Sequence, residues 1–138
     1  MIKRAYEEIQ IGEKASLSKT ITEADILAFC GICGDFNPLH VDEEFAKKSM
    51  FKGRIAHGML VASLIDYTLT AIVGVGGVHI SQNVVFKAPV RIGDTITVES
   101  EVTEKREEKR RFIISSTLTN QEGKVVMTGV AEGMMPKP

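Results

Sequence analysis

The sequence predicts an α+β fold in which an antiparallel β-sheet wraps around a long central apolar helix. Three observations carry this. Residues 55–73 are apolar nearly all round, from Met59-Leu60-Val61-Ala62 through Leu64, Ile65, Tyr67 and Leu69 to Ala71-Ile72-Val73. From Val78 onward the pattern changes to period two and is rich in Val, Ile and Thr. The order is one strand, short helices, one long helix and then four strands, which is an α+β order rather than a βαβ order.

Ala15–Ile21 alternates apolar and polar residues as a half-buried strand does. Thr22 is a good N-cap with Glu23 and Asp25 in the first turn, and Ile26, Leu27, Phe29 and Cys30 form the apolar face of a helix that Gly31 and Gly34 end. Asp42-Glu43-Glu44 followed by Lys47-Lys48 reads as a two-turn helix, with its charges matched to the helix dipole. The long helix stops at Gly74, Gly76 and Gly77. Strands are expected over Val78–Val90, Thr95–Thr103, Arg110–Thr119 and Lys124–Met134, joined by turns at Pro89 to Asp94, Glu104 to Arg111 and Asn120 to Gly123. The mixed-sign run from Glu104 to Arg111 reads as a solvated hairpin tip. One sheet covers such a helix on only part of its circumference and leaves an edge strand open, so a dimer is expected.

The chain has 138 residues, 43% hydrophobic and 25% charged, which suits a single domain over 1–138. A net charge of −1 gives no long-range field to gather nucleic acid or a membrane surface. His57, Ser63, Asp66, Thr68 and Thr70 argue against a membrane span in the long helix. MIKRAYEEIQ lacks the apolar core of a secretory signal and MMPKP is no retention address, so a cytoplasmic protein is expected. Cys30 and Cys33 form one CxxC at the end of a helical pattern. No second ligand pair accompanies it, and both read as small buried hydrophobes.

The stretch Gly34-Asp35-Phe36-Asn37-Pro38-Leu39-His40 places a carboxylate and an imidazole five residues apart. On a helix they would lie about 140° apart, and Pro38 disfavours a helix there, so a loop turning both side chains to one point is expected. Taken alone, Asp before Asn-Pro is also a common turn. His57-Gly58-Met59 follows at the start of the long helix. Asn37 either orients Asp35 or fixes the turn. His57 reads as a structural cap or a pocket wall. Asp66 is anomalous in an apolar helix, and a buried carboxylate there needs a partner on a dimer mate or behind the site. Lys52, Arg54, Lys87 and Arg91 are ordinary solvated charges or contacts for phosphate.

With HVDEEFAKKSMFKGRIAHGMLVASLI and FKAPVRIGDTITVESEV, the GDFNPLH stretch resembles the MaoC-like hydratase family, whose best-known members are R-specific 2-enoyl-CoA hydratases. The resemblance covers the chain from about Thr22 to the C-terminal strands. It implies a hotdog fold and a homodimer, or a dimer of dimers, with active sites at or near the interface. It also implies a catalytic pair at Asp35 and His40 and an oxyanion donor at the Gly58 amide. Asn37, His57 and Met59 are the expected substrate contacts. The family reaction is reversible syn addition of water to a trans-2-enoyl thioester, giving the (R)-3-hydroxyacyl thioester. No metal and no separate cofactor is expected, because coenzyme A enters as part of the substrate. Some members carry serine where this chain has Asp66. The competing readings are a 3-hydroxyacyl-[acyl carrier protein] dehydratase, an acyl-CoA thioesterase and a non-catalytic acyl-thioester-binding dimer domain.

Overall fold

A computed structural model describes residues 2–137. Strand β1 (Lys14–Thr20) precedes helices α1 (Glu23–Cys33), α2 (Pro38–Val41), α3 (Glu43–Ala46), α4 (Gly58–Ala62) and α5 (Ile65–Val73). Strands β2 (Val78–Phe86), β3 (Thr95–Arg106), β4 (Arg111–Thr119) and β5 (Val125–Met134) follow. The five strands form one antiparallel sheet in the order β1-β3-β4-β5-β2, so β1 and β2 are its edges.

Period two decides which face the central strands bury. Ile96, Val98, Ser100 and Val102 of β3, and Phe112, Ile114, Ser116 and Leu118 of β4, all point inward. They meet Val61, Ile65, Leu69, Ile72 and Val73 from the helices. Each such side chain contributes about 1.5–3 kcal/mol on burial. Three hydroxyls cross this core: Thr68 Oγ1 donates to the Ile65 carbonyl (2.7 Å), Ser100 Oγ lies 2.7 Å from Thr68 Oγ1, and Ser116 Oγ lies 2.7 Å from Ser100 Oγ. One donor direction satisfies the series, running from Ser116 to Ser100, Thr68 and the helix carbonyl.

Several expectations are corrected. The helix predicted over 55–73 begins only at Gly58 and is divided into α4 and α5. At the junction Ser63 Oγ donates to the Leu60 carbonyl (2.6 Å), and the Leu64 and Asp66 amides bond three residues back, at 3.2 Å each. A serine hydroxyl competing for a carbonyl and a tightened turn account for the break. Nor is α5 buried all round. Ile65, Thr68, Leu69, Ile72 and Val73 face the sheet, while Asp66, Tyr67 and Ala71 face outward. Asp66 is therefore not a buried carboxylate: its side chain is 76% exposed, and its one ionic partner among the described residues is His79 on β2, at 3.4 Å. In α1, Gly31 does not end the helix, which runs on to Cys33. Glu43–Ala46 is a single turn capped by Asp42, whose carboxylate accepts from the Phe45 amide at 3.0 Å. Among the described residues no helix is long and apolar enough to cross a membrane.

Candidate active site

Thr22 starts α1 as expected, its side chain accepting from the Asp25 amide at 3.2 Å while Asp25 Oδ2 accepts from the Thr22 amide at 2.8 Å. The helix ends at Gly34, whose φ of 79° lies in the left-handed region that favours glycine, and its amide closes on the Cys30 carbonyl at 2.8 Å. This reversal delivers Asp35 to the end of the helix. The expected loop around Pro38 is then corrected. Proline cannot sit inside a helix but fits its first position, and Pro38 opens α2, which carries His40. Asn37 caps that turn: its side-chain oxygen accepts from the Leu39 amide at 3.1 Å, so the turn-fixing role is the one observed.

Main-chain bonds hold the pair in place. The Asn37 amide donates to Asp35 Oδ1 at 3.0 Å, leaving Oδ2 directed at His40 Nε2, 3.8 Å away. His40 Nδ1 lies 2.8 Å from the Ile55 carbonyl, and a carbonyl only accepts, so Nδ1 carries the proton and Nε2 keeps its lone pair towards Asp35. The 3.8 Å separation is too long for a direct hydrogen bond and fits one water held by both groups. Asp35 is half-exposed at this position and His40 is buried.

Segment 54–58 is braced from both sides. The Ile55 amide donates to the Leu39 carbonyl at 3.2 Å and the Ala56 amide to the Val90 carbonyl at 2.7 Å. Arg54 Nε donates to the His40 carbonyl at 2.7 Å, and its two terminal nitrogens grip Glu23 at 2.8 Å each. This pairing, chiefly the hydrogen bond itself, lowers the Glu23 carboxyl from its ordinary value and raises the Arg54 guanidinium. Arg91 donates to the Phe51 carbonyl. Arg54 and Arg91 are thus structural rather than solvated, and of the four candidate phosphate contacts Lys87 lines the cavity.

His57 is buried and stacks on His40, with ring centroids 3.8 Å apart and planes inclined by 28°. Gly58 opens α4, where a first-turn amide has no acceptor within the helix and lies at the positive end of its dipole. A Cβ on Gly58 would stand 2.4 Å from Phe86 Cε1, so a side chain here has no room while that ring keeps its place. Asp35, His40, His57, Gly58 and Met59 all line one cavity of about 740 Å³, whose remaining walls are mostly apolar, including Phe29, Val61, Phe86 and Met127. Asn37 is not among its lining residues. Cys33 is exposed and lines the cavity, its Sγ accepting from the Asp35 amide at 3.4 Å, whereas Cys30 is buried and burial pushes its thiol up. The expectation that both cysteines are buried holds for Cys30 and is corrected for Cys33.

Asp35, His40 and His57 each place a possible metal-ligand atom within 4.8 Å of the others. His57 Nε2, however, is engaged by the Asp35 carbonyl at 3.0 Å and His57 Nδ1 is enclosed. The open donors are His40 Nε2 and the Asp35 carboxylate, one fewer than the three protein ligands a catalytic zinc takes. The motif points to Asp35, His40 and Gly58, but not to the bracing by Arg54 and the Ile55 carbonyl or to the Phe86 ring over Gly58. Main-chain acceptors leave no mark on residue type.

An antiparallel sheet packed on a helix, with a carboxylate and an imidazole on the wall of an apolar cavity, defines a hotdog protein with a candidate acid–base site. The chain belongs to the MaoC-like family, whose domain model, described as "MaoC like domain", matches residues 7–124. It is 46% identical to an (R)-specific enoyl-CoA hydratase of Rhodospirillum rubrum over 99% of this chain and 94% of that protein. The solved (R)-hydratase from Aeromonas caviae involved in PHA biosynthesis superposes with a TM-score of 0.89 at 39% identity, covering 94% of this chain and 99% of that one. A mitochondrial 3-hydroxyacyl-[acyl-carrier-protein] dehydratase of Arabidopsis thaliana is 33% identical over 93% of this chain and 78% of that protein.

Proposed function

We propose that this chain is an (R)-specific enoyl-CoA hydratase, reversibly adding water to trans-2-enoyl thioesters. The observation that carries the reading is the 3.8 Å gap between Asp35 Oδ2 and His40 Nε2 on the wall of an apolar cavity. A water bound by both groups, from beside the line that joins them, passes a proton to the pair as its oxygen bonds to C3, and the pair returns one proton to C2. Both transfers start from one side of the double bond, so hydroxyl and hydrogen add to the same face. Negative charge passes to the thioester oxygen as the enolate develops, and the Gly58 amide is placed to receive it. Collapse of the enolate onto C2 takes up that proton, so the pair gains one proton and gives one up, and its starting state is restored once a proton has passed between the two groups. Substrate contacts come from Met59 and the apolar walls.

Coenzyme A is favoured as the carrier because relatives at 46% and 39% identity are named as enoyl-CoA hydratases, against 33% and 35% for two named for acyl carrier protein. A homodimer is favoured by β2, an edge strand with Val78, Ile80, Val85 and Phe86 exposed along its length. A cytoplasmic setting fits both. Purified protein is expected to consume crotonyl-CoA without added metal or cofactor and to yield (R)-3-hydroxybutyryl-CoA. Absence of turnover with short and medium enoyl-CoA chains overturns the reading, and release of free thiol instead identifies a thioesterase. Faster turnover of the same enoyl chain on acyl carrier protein would reassign the carrier.

A further inference from the structure

His57 touches every part of the candidate site. Its Nε2 lies 3.0 Å from the Asp35 main-chain carbonyl, its ring stacks on His40, and its own carbonyl carbon is bonded to the Gly58 nitrogen. Phe29 packs edge-on against the His57 ring, at 4.9 Å between centroids and 61° between planes. The residue is only 3% exposed, yet its enclosed Nδ1 has no hydrogen-bond partner among the described residues. An orphaned polar atom in such a place needs a reason.

The tautomer supplies it. A carbonyl only accepts, so the 3.0 Å contact to Asp35 puts the proton on Nε2, and Nδ1 is left as a bare lone pair. A hydrogen on Nδ1 would have no acceptor, which excludes the other neutral form. The two stacked imidazoles are therefore anchored by opposite nitrogens. His40 fixes Nδ1 on the Ile55 carbonyl and presents Nε2 to Asp35, while His57 fixes Nε2 on the Asp35 carbonyl, with Cys30 Sγ 3.6 Å from the same nitrogen.

We propose that His57 is a positioning residue which, as the Nε2–H tautomer, sets the spacing between Asp35 and His40 by bonding the main chain of one and stacking on the ring of the other. The inference rests on the hydratase reading for its kinetic consequences. The spacing of the pair depends on one hydrogen bond and one stacking contact made by the same ring, and the orphaned Nδ1 is the cost of placing that ring there. His57 never exchanges a proton with substrate.

Two variants separate the two contacts. His57→Phe keeps a flat ring against His40 and loses the donor to Asp35. His57→Gln keeps an amide donor at the reach of Nε2 and loses the stack. The Phe variant is expected to lose about 10- to 100-fold in kcat with KM nearly unchanged, since displacing one group of a reacting pair by a fraction of an ångström acts on rate more than on binding. The Gln variant is expected to recover part of that loss. Both should keep the two limbs of the wild-type pH–rate profile, lowered but not moved. A structural role alone predicts normal kcat per folded molecule, and a wild-type rate in His57→Phe overturns the proposal. Disappearance of one limb also overturns it, because His57 would then be an acid or base itself.

If neither variant folds, nitrogen-15 imidazole spectra of the unmodified protein decide the matter. They should show His57 protonated at Nε2 and His40 at Nδ1, and the Nδ1–H form of His57 refutes the assignment. That spectrum stands even if no enoyl thioester is turned over, so failure of the hydratase reading and failure of the positioning role are separable.

Discussion

Replacing Arg54 with alanine removes two different interactions, and their separation tests how His40 is held. The fork to Glu23 spans two bonds of 2.8 Å, but the Glu23 side chain is 49% exposed, so water screens the pair and its worth is that of a surface ion pair, about 0.2–1 kcal/mol. The 2.7 Å bond from Nε to the His40 carbonyl is charge-assisted and lies against a buried residue, which places it at about 1.5–3 kcal/mol. Arg54→Ala should therefore lower unfolding free energy by about 2–4 kcal/mol, and Glu23→Gln by no more than about 1 kcal/mol. Denaturant unfolding of both variants and of the double variant gives the comparison, with the slope checked for two-state behaviour. Arg54→Lys should resemble alanine, since one ammonium cannot span the carbonyl and the carboxylate fork. Crotonyl-CoA turnover should fall in Arg54→Ala and not in Glu23→Gln, because only the first frees the turn that carries His40. If Glu23→Gln destabilises the protein as much as Arg54→Ala, the bond to the His40 carbonyl contributes nothing and the bracing argument fails.

Ser100→Ala should cost about 1–3 kcal/mol by leaving the buried Ser116 hydroxyl without its partner, whereas Thr68→Val, Ser100→Ala and Ser116→Ala together should be far milder; equal losses measured by denaturant unfolding would refute the ladder. Gly58→Ala drives a Cβ to 2.4 Å from Phe86 and should cost about 1–3 kcal/mol, most of it recovered with Phe86→Leu in a thermal melt of the pair. Glu13, Glu23 and Asp25 are each lowered from ordinary values of 4.5, 4.5 and 3.8 by hydrogen bonds to Arg4, Arg54 and Lys19. Their contribution is complete above those ordinary values and is lost as the pH falls through the lowered folded-state ones. Chemical stability should hold from neutrality down to about pH 5 and then decline, and a decline starting near neutrality would implicate other groups.

Much of this was legible in residue order. Period two marked β2 to β5, Thr22 with Asp25 marked the start of α1, and the five-residue spacing of Asp35 and His40 marked the site. Direction was less legible than type. Residues 55–73 have a high apolar content throughout, and that content hides that Asp66, Thr70 and Ala71 fall on the side of α5 away from most of its buried residues. The apolar residues near Asp66 suggested a buried carboxylate, when the side chain projects from the open side of the helix. Pro38 misled for a similar reason: proline forbids an interior turn, but at a first position it preorganises one. Gly31 was read as a stop because glycine weakens a helix, yet a helix fixed by a cap at Thr22 and by Ile26 and Cys30 in the core tolerates about 1 kcal/mol of lost propensity.

The site is built from segments that the chain separates and the sheet reunites. Residues 35–40 are bonded to 54–57, through Ile55 to Leu39, His40 to the Ile55 carbonyl, and His57 to the Asp35 carbonyl. Residue 56 is bonded in turn to Val90, and residues 87 and 88 both donate to the Val126 carbonyl on β5, at 2.9 and 3.2 Å. Every link has a main-chain group at one end or both, so the two imidazoles are anchored on backbone that is tied in turn to the core strands. A 3.8 Å gap between two polar groups would ordinarily close or widen with any loop motion. Here the segments that carry both groups are bonded to one another and to a strand packed in the core, and the spacing is held at the cost of ordering those segments.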